Sequence, residues 1–415
     1  MSVFARRSFL ARSALISLAP LAPGFLARSL ADQPAGPDER ILVVLQLDGG
    51  NDGLNTVVPF ADDDYARFRR RLCIPTSEIL KVNGEVGLHP AMTAASEMVK
   101  EGRLTIVQGV GYPNPDRSHF HSMAIWHQGR TDAEENSGYG WLGRALDSAT
   151  ANPDAGADAV FVGDQAVPRA LWGRQSRIIS RDQESDLALP AEWKARAPAR
   201  TTTLDAGDLT DVDDLTGYVE RVVDRSYQTA RRWSEQARVA KKDLATKYPA
   251  TDLARQLSLI SQMIKNEMAA RVYYVSQGGY DTHQSQAGTH ERLLQTLSDA
   301  LGAFFDDLAA AQLQDRVVLM AFSEFGRRLE ENETVGTDHG AAGPVFLAGP
   351  ATVGGIIGRH PSLTELDEGD LKMSLDFRAI YASLLQDWLH ISSSALRAGD
   401  FPCPALFRRP STATS

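Results

Sequence analysis

The sequence predicts an α/β protein built on a mostly parallel sheet with helices on both faces. Short apolar runs rich in β-branched residues recur without polar alternation; in Ile41–Leu47 only Gln46 interrupts the run. Such runs suit parallel strands buried on both sides. They are interleaved with segments of helical spacing such as Arg292–Ala311, the pattern of an alternating α/β chain. Acids and acid–histidine pairs stand directly after several of the runs, where open α/β sheets collect their ligands.

In chain order, Ile41–Leu47 and Leu104–Val110 read as strands, and Ser118–Gln128 as a helix with Phe120, Met123, Ala124 and His127 at helical spacing. Ala159–Val162 and Ile178–Ile179 are shorter strands. Between about residues 212 and 268 the pattern is helical and highly charged, clearest in Tyr218–Ala240 and Asp252–Met268, and predicts a helical insertion or lid. Strand Arg271–Ser276, helix Arg292–Ala311, strands Val317–Phe322 and Val345–Ala348, and a closing helix Asp376–Leu389 complete the pattern.

The first 31 residues read as an address. Arg6-Arg7-Ser8-Phe9-Leu10 is a twin-arginine pair before the apolar stretch Ala14–Leu26, and Ser29-Leu30-Ala31 fits a cleavage site. The stretch is broken by Pro20 and Pro23 and is short for a membrane span. The expectation is export by the twin-arginine machinery to the periplasm or beyond. A domain would then occupy residues 32–415, with no stable membrane span after cleavage. That part carries 39 basic and 53 acidic residues. A net charge of −14 argues against nucleic acid or anionic lipid as the main partner. Cys73 and Cys403 are the only cysteines; they would form one disulfide joining the ends of the domain or remain two separate thiols.

The chemistry concentrates in the second half. Tyr280-Asp281-Thr282-His283 and Asp338-His339-Gly340 pair carboxylate with imidazole, the mixed donors that zinc and similar divalent ions accept. Asp48 ends the first strand before Gly49-Gly50, and Glu324 stands after Val317–Phe322. Each has an ordinary alternative: a turn for Asp48, a helix cap for Asp281-Thr282-His283, and an ion pair with Arg327 or Arg328 for Glu324. Asp48, Asp281, His283, Glu324, Asp338 and His339 are the candidate metal ligands. Arg117-Ser118-His119 opens a helix, where free N–H groups favour anions. Ser118 is the candidate nucleophile, Arg117 a candidate anion holder, and His119 an alternative attacking or orienting group. The competing reading makes Ser118 or Asp116 a helix cap. His127 fits the apolar face of that helix and reads as core.

Taken together, QLDGGNDGLNTVVP, RSHF, SGYGWLGR, GGYDTHQ, SEFGRR and GTDHG resemble the exported bacterial proteins grouped as domain of unknown function 1501, within the alkaline phosphatase/sulfatase superfamily. The resemblance covers nearly the whole mature chain. It implies an alkaline phosphatase-like three-layer sandwich with a mostly parallel central sheet and its site at the strand ends. By the same resemblance, Asp48 corresponds to the first-strand metal carboxylate, Ser118 to the helix-start nucleophile, and Asp281 with His283 to the ligand pair of one metal. Asp338-His339 corresponds to the late histidine segment. Where phosphatases often carry Asp-His, this chain has Glu324-Phe325. The Cys/Ser-x-Pro-x-Arg context of oxidised sulfatase nucleophiles is missing around Asp116-Arg117-Ser118.

The resulting expectation is a metal-dependent hydrolase of a phosphate or sulfate ester. Its cofactor would be zinc, manganese, calcium or iron, and its substrate a small anionic ester or a cell-envelope component. The rival expectation is a catalytically inactive periplasmic binding protein on the same fold.

Overall fold

The computed structural model describes residues 40–132, 138–149, 158–176, 178–181, 248–267, 270–396, 401–402 and 404–408. The twin-arginine segment, most of the charged helical block including Tyr218–Ala240, and Cys403 lie outside the described residues. Cys73 is a half-buried free thiol.

The organising element is a nine-stranded sheet. Its strands are β1 (Ile41–Asp48), β2 (Leu104–Gly111), β3 (Ala159–Val162), β4 (Ile178–Arg181), β5 (Val272–Gly278), β6 (Val317–Phe322), β7 (Gly343–Ala348), β8 (Gly355–Ile357) and β9 (Leu375–Asp376). The order is β8-β2-β7-β6-β1-β5-β3-β4, with β9 paired to the end of β2. Strand β1 runs parallel to β5 and β6 on its two sides, Leu45 facing Val275 and Ala321. Only β7 runs against its neighbours in this sheet.

Successive side chains of a strand point to opposite faces, and the central strands use both. Val43, Leu45, Tyr273, Val275, Leu319 and Ala321 enter one apolar core. Leu42, Val44, Val272, Tyr274, Val318 and Met320 enter the other. The uninterrupted apolar runs in the sequence reflect this two-sided burial.

Helices α1 (Thr93–Lys100), α4 (Asp252–Lys265) and α5 (Gln286–Ala310) cover the first face through residues such as Met98, Leu257 and Phe304. Helices α2 (His119–Gln128), α3 (Trp141–Ala149) and α6 (Phe377–Ser383) cover the second through Trp126, Trp141 and Ile380. The result is a three-layer α/β sandwich. Helix α5 is 25 residues long and begins six residues before the predicted Arg292. Its first turns bury Gln286 and His290 in a polar network, so the apolar period begins late. Helix α4 matches the predicted start at Asp252, and α6 is capped by Asp376. Among the described residues no helix is long and apolar enough to cross a membrane.

Strands β1, β2, β5 and β6 all finish at one edge. Because β7 runs the other way, its beginning lies at that same edge. The segment before it is a hairpin of Arg327–Glu331 with Thr337–His339, in which Arg327 faces His339. The topology therefore brings Asp48, the Arg117–His119 corner, Asp281, Glu324 and His339 to one rim.

Candidate metal centre

The rim is shaped first by close backbone approach. Gly49 has φ +118°, and a Cβ there would collide with the backbone of Tyr280 and Asp281. Gly50, at φ +77°, has no room beside the Phe325 ring. Both positions need glycine for conformation and for space. Fully buried Arg327 then ties the loops together, donating to Gly50 O at 2.7 Å, Tyr280 O at 3.1 Å and Thr337 O at 2.7 Å, and also to Gly49 O. The same guanidinium donates to Asp281 Oδ1 at 2.7 Å.

Asp281 Oδ1 is the focus of three imidazoles. His283 Nε2 lies 3.0 Å away, His339 Nε2 3.2 Å and His119 Nε2 3.5 Å. Burial alone would raise this carboxyl, but the hydrogen bond from Arg327 brings it down to about 2. His119, Asp281 and His339 offer ligand atoms all within 4.8 Å of one another. His283 Nε2 stands 2.9 Å from His339 Nε2.

The opposite nitrogens of these rings explain the geometry. His119 Nδ1 lies 2.7 Å from Glu324 Oε1, His283 Nδ1 3.2 Å from Asp338 Oδ1, and His339 Nδ1 2.7 Å from the carbonyl oxygen of Arg117. Ionised carboxylates and carbonyls only accept, so a proton on Nδ1 satisfies each of these partners, while the Asp281 carboxylate is satisfied by one on Nε2 of His283 or His339 instead. With Nδ1 protonated, the three Nε2 lone pairs turn toward Asp281 Oδ1. His119 Nε2 is buried and makes no hydrogen bond. Lone pairs of His283 and His339 at 2.9 Å repel unless a proton or a cation stands between them. Acceptor-only outer partners on Nδ1 with Nε2 turned inward are the arrangement of metal-ligating histidines.

The predicted residues thus separate into layers. Asp281, His283 and His339 meet at the centre, joined by His119, which the sequence had suggested for substrate or attack rather than for metal. Glu324 is 1% exposed and holds His119 from behind; it also accepts from Gly49 N at 3.0 Å and Ser323 Oγ at 2.9 Å. It is therefore neither a solvated loop acid nor a partner of Arg327 or Arg328. Asp338 orients His283, and Asn332 Nδ2 donates to it at 3.2 Å. Asp48 stands outside the cluster at the end of β1, half-buried, receiving Gln46 Nε2 at 3.3 Å. Burial, reinforced by the negative charge of Glu324, raises its pKa.

The Arg117–His119 corner shows the helix cap that the sequence offered as the competing reading for Ser118. Ser118 Oγ caps α2, accepting from His121 N at 3.4 Å, while Ser118 N donates to Asp116 Oδ1 at 2.6 Å. The Arg117 guanidinium is held by Asp370 Oδ2 at 2.9 and 2.7 Å. His127, predicted as core, is half-buried and lines the cleft beside the centre, with Nε2 at 2.9 Å from Gln46 Oε1 and its pKa lowered by burial. Phe325, the departure from the phosphatase pattern, packs its ring 4.9 Å from His119 and 4.7 Å from His339. Sequence reading missed Arg327 as the central clamp. An arginine after a strand looks like a surface charge, and only the burial of the three loops around it shows otherwise.

Beside the centre lies an open cleft of about 450 Å³. Asp48, His119 and Asp281 lie on its inner side, Phe120, Met123 and Ala124 on its apolar wall, and Arg169 supplies a guanidinium. The Arg169 guanidinium also lies 4.9 Å from the Trp172 ring centroid. Phe120 is 78% exposed at this wall.

A three-layer α/β sandwich with acid–histidine clusters gathered at its strand ends is the class of protein defined here. Residues 39–395 match the family described as "Protein of unknown function (DUF1501)", and the chain belongs to that family. Comparison with curated proteins finds no match. Among solved structures, the chain is similar to the C-terminal periplasmic domain of EcEptC from Escherichia coli in complex with Zn. The identity is 8% and the TM-score 0.39, covering 87% of this chain and 85% of that one. It is also similar to a protein in the alkaline phosphatase superfamily from Vibrio parahaemolyticus, at 10% identity and TM-score 0.39, covering 89% and 75%. The PsFucS1 sulfatase from Pseudoalteromonas sp. aligns at 9% identity and TM-score 0.38, covering 92% and 72%.

Proposed function

We propose that the protein is an exported, periplasmic metal-dependent hydrolase of a phosphate or sulfate ester, either a small anionic ester or a cell-envelope component. The observation that carries the reading is the facing of His283 and His339 through Nε2 at 2.9 Å, with each Nδ1 against an acceptor. His119, Asp281, His283 and His339 would hold the ion. Three imidazoles and one carboxylate favour zinc or iron over calcium, which prefers oxygen ligands, and over manganese. When bound, such an ion supplies Lewis-acid stabilisation to a phosphoryl or sulfuryl oxygen and lowers the pKa of a bound water. The N-terminal twin-arginine segment supports export of a protein folded around its cofactor.

The chain's own groups divide the remaining work. The cleft beside the centre receives the ester, with Arg169 placed for its negative charge and Phe120 and Met123 for its apolar part. Asp48, whose pKa burial raises, lines that cleft and would serve as the general acid for the leaving oxygen. Arg327 holds Asp281 ionised, and Glu324 and Asp338 fix two of the histidine rings.

One observation favours the binding-protein alternative. Ser118 Oγ is engaged in its helix cap and Arg117 in its pair with Asp370, so neither stands ready for attack or anion binding. Elemental analysis of chelator-free protein, with His339→Ala beside it, decides first. Near-stoichiometric metal in wild type and a marked loss in the variant is expected. No metal in either, even after metal is added back, sinks the hydrolase reading. If metal is present, Asp48→Asn should keep it while lowering kcat on aryl phosphate or sulfate esters by about 10²–10⁴. Indifference of every ester to the metal-loaded wild type would favour the binding protein.

A further inference from the structure

We infer that Asp370, more than thirty residues beyond the candidate ligands, is a positioning residue for His339; this rests on the metal-centre reading. Asp370 lies in a short hairpin, Leu366–Asp367 with Asp370–Leu371, and is 2% exposed. Two arginines from different segments converge on it. Arg117 donates through Nε and Nη2 to Oδ2, at 2.9 and 2.7 Å, and Arg328 Nε stands 3.4 Å from Oδ1.

Each arginine belongs to a segment that holds His339. The carbonyl of Arg117 receives His339 Nδ1 at 2.7 Å. Arg328 follows Arg327, which faces His339 across the hairpin and donates to Asp281. A single buried carboxylate thus locks the acceptor behind the ring and neighbours the strand beside it. Glu368 Oε2, 3.5 Å from Arg117 Nη2, adds an exposed second contact. Asp370 Oδ1 makes no hydrogen bond. Arg328 Nε at 3.4 Å compensates its charge, and the two short bonds on Oδ2 fix the Arg117 side chain beside the carbonyl that His339 meets. Without that clamp the carbonyl drifts and the Nδ1–H of His339 loses its partner, which lowers the basicity of Nε2 and frees the ring to rotate.

The test is zinc affinity of the folded, metal-free protein, measured by competition with a chromophoric chelator, for wild type, Asp370→Asn, Arg117→Gln and the double variant. Asp370→Asn and Arg117→Gln should each weaken zinc about tenfold, and the double variant should be no worse than either single, because both remove one clamp. The visible spectrum of the cobalt-substituted protein should change in the same variants. If Asp370→Asn fails to fold, Arg117→Lys, which keeps the charge but loses the two-pronged contact, should still weaken zinc several-fold. Unchanged zinc affinity and cobalt spectrum in folded variants, with only thermal stability reduced, would show a structural role and overturn the inference. A wild type that binds zinc while every clamp variant matches it rejects the inference alone. A wild type that binds no zinc rejects the metal-centre reading beneath it as well.

Discussion

Two polar clusters built from similar residues lie one behind the other around the glycine loop after β1, and they end differently. Behind the loop, Asp52 is paired twice to Arg69, at 2.6 and 3.1 Å, and receives Gln286. Arg69 also donates to Leu329 O at 2.6 Å and Arg328 O at 2.7 Å. His290 Nε2 lies 3.0 Å from Asn51 Oδ1, and Gln286 Oε1 accepts from Thr282 and Thr337 at 3.1 and 2.6 Å. Every strong donor in this cluster meets an acceptor inside the protein, as a buried structural network requires. At the rim, Asp281 and three histidines are held as firmly from behind, yet the histidine Nε2 atoms converge on a single carboxylate oxygen. A network that closes on itself holds loops together. One that is braced from outside and left electron-rich within is fit to receive a cation.

The largest effect that would break this contrast is on stability. Arg69→Met should cost about 3–5 kcal/mol, because it leaves the Asp52 carboxylate buried and unpaired. His339→Ala should cost far less in the metal-free protein. Urea unfolding of both variants measures the difference, and equal losses would erase the distinction.

The next effect is in pH. Burial lowers His290 to about 4 from its ordinary 6.5. With the folded pKa below the unfolded one, the unfolded chain takes the extra proton first as pH falls. The contribution is complete above 6.5 and is lost between 6.5 and 4. At pH 5 that amounts to about 2 kcal/mol. Asp52, brought to about 2 from 3.8 chiefly by Arg69 against the opposing effect of burial, loses its own contribution at still lower pH. Urea midpoints at pH 7.5 and 5, with His290→Gln as the variant that narrows the difference to what His127 still contributes, check this.

A smaller effect sharpens the rim side. Asp338→Asn should weaken metal binding about tenfold, or about 1.4 kcal/mol, by loosening His283, with urea stability unchanged. Chelator competition reads it. Ser118→Ala should be smaller still, about 0.5–1 kcal/mol for a long cap bond, with metal content retained. A complete loss of ester hydrolysis in that variant would instead return Ser118 to the role of nucleophile.

Much of the fold was legible in the chain. Ile41–Leu47 and Val317–Phe322 show no alternation because both faces are buried, and that pattern survives translation from sequence to sheet. Asp281-Thr282-His283 and Asp338-His339 were legible as paired donors because each pair is contiguous. Arg69 was not, since in Arg67-Phe68-Arg69-Arg70-Arg71 it looks like one of several surface charges. The early start of α5 was hidden for the same reason, its first buried side chains being polar.

By itself, then, the sequence determined the layered α/β class, seven of the nine described strands of the main sheet and the two acid–histidine pairs, since strand burial and contiguous donors are local properties of the chain. The tertiary structure alone decided that β7 runs against its neighbours and so delivers His339 to the rim where the other strands end. It also decided that His119 joins Asp281, His283 and His339 at the rim, that Glu324 and Asp338 stand behind the rings, and that Asp48 lines the cleft. Those assignments depend on which nitrogen of each ring meets which acceptor. Segments from 55 to 222 residues apart set that meeting, and no local pattern encodes it.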